Sequence, residues 1–162
     1  MNIIDSDRLR ELFDAHGARL ILFARQWCTL PDDAVQEAFI ALAHQIPEPD
    51  EPVSWLFRAV KFQAINIARS EGRREKHHRR VSQERESWFQ LPSPIPIDTC
   101  ELEKQLSELK LVEREVLVAR IWGDLSFEAI AELVGCSVST AHRTYRRALA
   151  KLEEAFSDEV GR

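Results

Sequence analysis

Only three cysteines occur in 162 residues, and none stands at the spacing of a zinc site or a CxxC motif. Cys28, Cys100 and Cys136 are far apart, each in or beside an apolar helical pattern, which predicts buried structural thiols rather than disulfides or ligands. No apolar run approaches the length that crosses a bilayer. The segment MNIIDSDRLR lacks the basic start and apolar core of a signal peptide, so the expectation is a cytoplasmic protein without membrane insertion. No useful period-2 alternation argues for strands, and there are no internal repeats. The five glycines form no phosphate-cradling loop. His16, His44, His77, His78 and His142 are scattered, without a Ser or Cys partner or paired metal ligands, and arginines around His77-His78 would repel a metal cation. The sequence therefore predicts no enzyme, no cofactor and no metal.

What remains is helical and unevenly charged. The net charge of −5 argues against a protein coated in nucleic acid, yet the charges are segregated. Arg58 to Arg80 contains eight Lys or Arg against Glu71 and Glu75, preceded by Glu48, Asp50 and Glu51. Helical periodicity first places Leu9, Leu12, Phe13 and His16 on one side, behind a cap from Asp5, Ser6 or Asp7. The pattern loosens at Gly17 and resumes with Leu20, Phe23, Ala24 and Trp27. Leu30-Pro31 is read as a break, with Asp32 or Asp33 starting a helix that carries Val35, Ala38, Phe39, Leu42 and Ile46. Pro47, Pro49 and Pro52 predict a rigid acidic loop, and Ser54 to about Glu71 a long helix with Leu56, Ala59, Val60, Gln63 and Ile67 as its stripe. Residues 1–74 thus form a first domain. Residues 75–99, polar and then Pro-rich in LPSPIPIDT, read as a flexible linker. Its Trp88, Phe89 and Leu91 suit either a partner or a return onto one of the domains. Residues 100–158 form the second domain, with Leu102, Leu106 and Leu109 on one helix and Val116, Leu117 and Ile121 on the next. The expected fold class is all-α, two small helical domains joined by that linker.

The segment LSFEAIAELVGCSVSTAHRTYRRALAKL, Leu125 to Leu152, reads as a helix-turn-helix. Ser126 is placed to cap a short helix with Phe127, Ile130, Ala131 and Val134 on one face; Gly135 stops it and Ser137 caps the next. In the second helix Val138, Ala141, Tyr145, Ala148, Leu149 and Leu152 share a side. Arg143 and Arg147 point the other way, beside Ser139, Thr140 and Arg146. No acid interrupts Ser137 to Leu152, although the chain as a whole is acidic. A solvated charged face is the bland reading. The placed turn chemistry and the single sign of charge favour a helix for the DNA major groove.

PDDAVQEAFIALAHQI, SWLFRAVKFQAINIAR and GRREKHHRR together resemble the second conserved region of bacterial sigma factors. LKLVEREVLVARIWGDLSFEAIAELVGCSVSTAHRTYRRALAKL resembles their fourth region. Order, spacing and the missing first and third regions look like the extracytoplasmic-function class, group 4 of the sigma-70 family. The resemblance implies a protein that binds core RNA polymerase, through the β′ clamp helices and the β flap, and gives it promoter specificity. It implies polymerase contacts at Asp33, Gln36, Glu37 and Phe39. It implies minus-10 contacts through Trp55, Arg58, Lys61, Arg69, Arg73 and Arg74, with a flipped base held by the loop from about Pro47 to Ser54. Trp55 and Phe57 offer rings to stack on bases, although Trp55 suits a core equally well. At the minus-35 element it implies base reading by His142, Arg143 and Arg147. Ser137, Ser139, Thr140 and Arg146 would lie on phosphate. An anti-sigma factor is the further partner implied.

Two positions depart from the family pattern: Lys61-Phe62 stands where an Arg-Asn pair is frequent, and Asn66 where an aspartate is common. Detailed minus-10 preferences are therefore not carried over. Two rival readings stay open at this point. One is a helix-turn-helix regulator that acts without core polymerase, which leaves the first domain's basic patch unexplained. The other is an adaptor or anti-sigma protein, which has no need of the outward arginines.

Overall fold

The computed structural model describes residues 3–75 and 99–160, which form two separate helical units. Trp88, Phe89 and Leu91, His77 and His78, and nearly all of the expected linker lie outside the described residues. Every regular element among the described residues is an α-helix. The chain is all-α, in two small helical domains, the second a helix-turn-helix domain.

The first unit is a three-helix bundle of α1 (Ser6–Ala24), α2 (Pro31–His44) and α3 (Pro52–Glu75), each packed on the other two. Asp5 caps α1, its carboxylate accepting from the Arg8 N–H at 2.7 Å. Helix α1 then runs unbroken through Gly17, because the apolar positions on either side of the glycine bury toward one core. That core holds Leu12, Leu20, Phe23, Val35, Ala38, Leu42, Leu56, Phe57, Val60 and Ala64. Phe23 meets the rings of Trp27 and Phe57 edge-on at 4.8 and 5.0 Å, contacts worth about 0.5–1.5 kcal/mol each beyond their buried area. Two expected helix starts move. Pro31 opens α2 instead of breaking the chain, and Pro52 opens α3 two residues before Ser54. A proline costs nothing in a first turn, where its missing N–H would have no intrahelical partner.

The second unit comprises α4 (Thr99–Glu108), α5 (Leu111–Ile121), α6 (Phe127–Val134) and α7 (Val138–Val160). Leu102, Leu106 and Leu109 are buried as their spacing predicts, with Val116, Leu117, Ile130, Ala141, Ala148 and Leu152. Ile121 and Val138, both assigned to buried stripes from the sequence, are exposed. Each is the terminal residue of its helix. Thr144 is buried in their stead on α7.

Candidate nucleic-acid interface

Helix α6 begins at Ser126, whose hydroxyl accepts from the Ala129 N–H at 3.1 Å. It ends at Gly135, in the left-handed region at φ 80°, where the Gly135 and Cys136 N–H groups both return to the Ala131 carbonyl. The turn then delivers Ser137, whose Oγ accepts from the Thr140 N–H at 3.1 Å and donates to Thr140 Oγ1 at 2.8 Å. These three caps set the angle of entry into α7, and all three follow from residue type and spacing.

On α7, Ser139, Arg143, Arg146 and Arg147 are exposed and Thr140 half-buried. Arg143 Nη2 approaches Thr140 Oγ1 at 3.4 Å, which draws its guanidinium toward the N-terminal end of the helix. Arg147 is 60% exposed, yet its Nη1 lies 4.0 Å from Glu113 of α5. It therefore leans across α5 rather than standing straight out. His142 is half-buried, its ring 4.4 Å from that of Phe127. Phe127 in turn meets Tyr145 edge-on and carries the Arg120 guanidinium 4.6 Å over its face. Of the three expected base readers, then, Arg143 is the most openly presented, and His142 is half committed to packing.

Sequence reasoning missed Glu113. Its side chain is 1% exposed, and both carboxylate oxygens accept from Lys151 Nζ, at 3.0 and 2.9 Å. Burial pushes the carboxyl up, but the Lys151 hydrogen bonds and charge, with the Lys110 backbone N–H, outweigh this and hold it below the usual carboxylate range. The pair staples the start of α5 to the middle of α7, 38 residues on. No local pattern foretells a partner at that distance.

In the first unit, Asp33, Gln36 and Glu37 are exposed on one face of α2, as the wheel predicts. Phe39 is half-buried, edge-on to Phe13 at 5.3 Å. It lies at the rim of the core stripe of Ala34, Val35, Ala38 and Leu42. With Leu9, Phe13, Ile40 and Ala43 it lines an open apolar groove of about 380 Å³. Ile40, 53% exposed on the same face as Gln36 and Glu37, was not singled out from sequence. Its place one turn on from those residues was the available signal.

On α3, Arg58 and Arg69 are exposed and Trp55 is half-buried. Lys61 sits off that face, its ammonium 5.9 Å over the Trp27 ring. Phe57, offered as a stacking ring, is core at 1% exposure, so that reading is corrected: its position on the wheel turns it toward Phe23. Arg73 and Arg74 fall in the last turn of α3, with side chains outside the described set. Cys28 is buried and its thiol pushed up by that burial; Cys136 is half-buried. Among the described residues no cluster of His, Cys, Asp or Glu could hold a metal ion, and no helix is long and apolar enough to cross a membrane.

Residues 101–152, which contain the capped turn and the arginine face of α7, match the family described as Sigma-70, region 4. A Bacillus subtilis (strain 168) protein, RNA polymerase sigma factor YlaC, is 30% identical over 102 residues, 63% of this chain. The second unit is thus similar to region 4 of the sigma-70 family. The chain spans 54% of the length of that curated relative. Its fold is similar to that of the sigma factor RpoE from Bartonella quintana, solved with the anti-sigma factor NepR, at TM-score 0.72 and 20% identity over 94% of this chain and 98% of the other. It is also similar to CnrH, solved with the cytosolic domain of CnrY, at TM-score 0.62 and 24% identity over 95% and 90% of the two chains.

Proposed function

We propose that this chain is a sigma factor of the extracytoplasmic-function class, which binds core RNA polymerase and directs it to a limited set of promoters. Residues 1–74 would hold the polymerase and open the minus-10 element, and residues 100–158 would read the minus-35 element. The observation that carries the reading is the outward face of α7. Ser139, Arg143, Arg146 and Arg147 are exposed there behind a capped turn, within the segment that matches Sigma-70, region 4. A helix of that build enters a major groove, with arginine suited to guanine O6 and N7. Ser137, Ser139 and Thr140 lie at its N-terminus, where backbone N–H groups favour a phosphate. The acidic and amide face of α2, Asp33, Gln36 and Glu37 beside exposed Ile40, suits a basic, partly apolar helix of the polymerase. Work in the cytoplasm follows from that partner. A third partner is an anti-sigma factor, as in the NepR complex of the similar sigma factor.

Transcription with purified core polymerase on genomic templates tests the proposal. Specific start sites that require this chain are the expected result. A chain that neither joins core polymerase nor directs any start site overturns it. Tight binding to duplex operators without polymerase would favour a helix-turn-helix regulator instead.

A further inference from the structure

Helix α3 carries an aromatic and cationic stripe along the side turned away from its core. Trp55, Arg58, Phe62, Asn66 and Arg69 succeed one another at steps of three or four residues, so they share one face. The buried Phe57, Val60 and Ala64 lie on the other side. Phe62 is 63% exposed, more than any other large apolar side chain among the described residues. Arg58 stands one turn before it and Arg69 two turns after, both exposed, spanning about 16 Å of helix. No acidic residue occurs between Trp55 and Ser70. A phenyl ring held in water between cations has the two parts of a single-strand platform: a face for a base and positive charge for the flanking phosphates.

We propose that Phe62 stacks on an unpaired base of single-stranded DNA, with Arg58 and Arg69 following the backbone on either side. This rests on the reading that the first domain receives the opened promoter strand. A phenyl ring has no hydrogen-bond donor or acceptor, so it grips a base by its face alone. Stacking of this kind tolerates any base. The chain therefore accepts all four bases about equally at the nucleotide seated on Phe62.

The test uses holoenzyme assembled from the full chain and core RNA polymerase. The probes are forked promoter DNAs, taken from a selection with the wild-type holoenzyme, whose single strand carries 2-aminopurine at each position in turn. Wild type is expected to quench the probe at one position and to bind all four natural bases there within a few-fold. Phe62→Ala should lose that quenching and weaken fork binding about 5- to 150-fold. Phe62→Trp should keep both, and Phe62→Asn, which restores hydrogen-bonding groups, should introduce a base preference. Helix content and affinity for core polymerase should not move, since Phe62 is outside the core. If Phe62→Ala quenches and binds as wild type does, the stacking proposal fails while the reading of the domain stands. If its loss is in polymerase affinity instead, Phe62 is a protein contact and the proposal is overturned. If wild-type holoenzyme does not engage the single strand at all, the reading of the domain fails, and the proposal with it.

Discussion

Gly135 is held at φ 80°, and a Cβ added there would meet nothing within 4 Å. Gly135→Ala therefore isolates the backbone penalty of the left-handed region from any clash. Thermal or urea unfolding should show a loss of about 1–2 kcal/mol, with Gly135→Asn closer to wild type. A sharper division is expected on α7. Arg143 is exposed beside Thr140, and if it reads bases as proposed, Arg143→Ala should relax preference at one or two minus-35 positions at a cost of about 1–3 kcal/mol. Arg146, toward the edge of that face, should serve phosphate. Arg146→Ala should weaken all sequences alike and lower the salt slope by about one unit. Selection on randomised minus-35 DNA separates the two. An unchanged base preference in the Arg143 variant would show that α7 docks in another register.

At the scale of elements, local chemistry decided most of what could be read in advance. Ser126, Gly135 and Ser137 bracket α6 and α7 because each cap acts within four residues of itself. The buried leucines of α4 and the exposed Gln36 and Glu37 of α2 follow from helical period alone. Phe57 shares its side of the wheel with the buried Val60 and Ala64, so helical period already pointed it to the core and away from any stacking role. Glu113 with Lys151, and Phe127 with His142, lie on different helices and are joined only by packing. The Glu113 pair has a pH signature. Its folded carboxyl sits below the ordinary range, so its contribution is full above the unfolded value and is lost as pH falls through the folded one. Glu113→Gln should cost about 1–3 kcal/mol at neutral pH, and unfolding measured down a pH series should show this difference shrinking in acid. Arg147, no longer drawn to α5, should then shift its own base preference, while that of Arg143 stays.

For the whole molecule, segregation of charge is the governing fact. A net −5 chain keeps two acid-free stretches that carry cations, Trp55 to Ser70 on α3 and Ser137 to Leu152 on α7, while Asp33 and Glu37 stand exposed on α2. Duplex DNA should hold the free protein weakly, and polymerase should supply the remaining affinity. Replacing Gln36 and Glu37 together by alanine should lower affinity for core polymerase about tenfold and leave the second domain's duplex contact intact. Neither side chain supports the bundle, so the melting temperature should hold. A fall in helicity or melting temperature in that variant would assign the pair a structural role.

The last buried apolar side chain described on α3 is Ala64, and the helix continues to Glu75. Such an overhang would ordinarily fray. Here Glu71 accepts hydrogen bonds from both the backbone N–H and the hydroxyl of Thr29, in the loop between α1 and α2. The helix is moored beyond its own core, so the stretch that carries Arg69 behaves as a fixed rail rather than a loose end. A strand laid along it would find its cations already in place, and the ordering entropy would have been met at folding rather than at binding. Amide hydrogen exchange should register the mooring directly. Thr29→Val, which keeps the shape and removes the hydroxyl, should speed exchange in Ile65 to Glu71 while leaving the amides of α1 as slow as before.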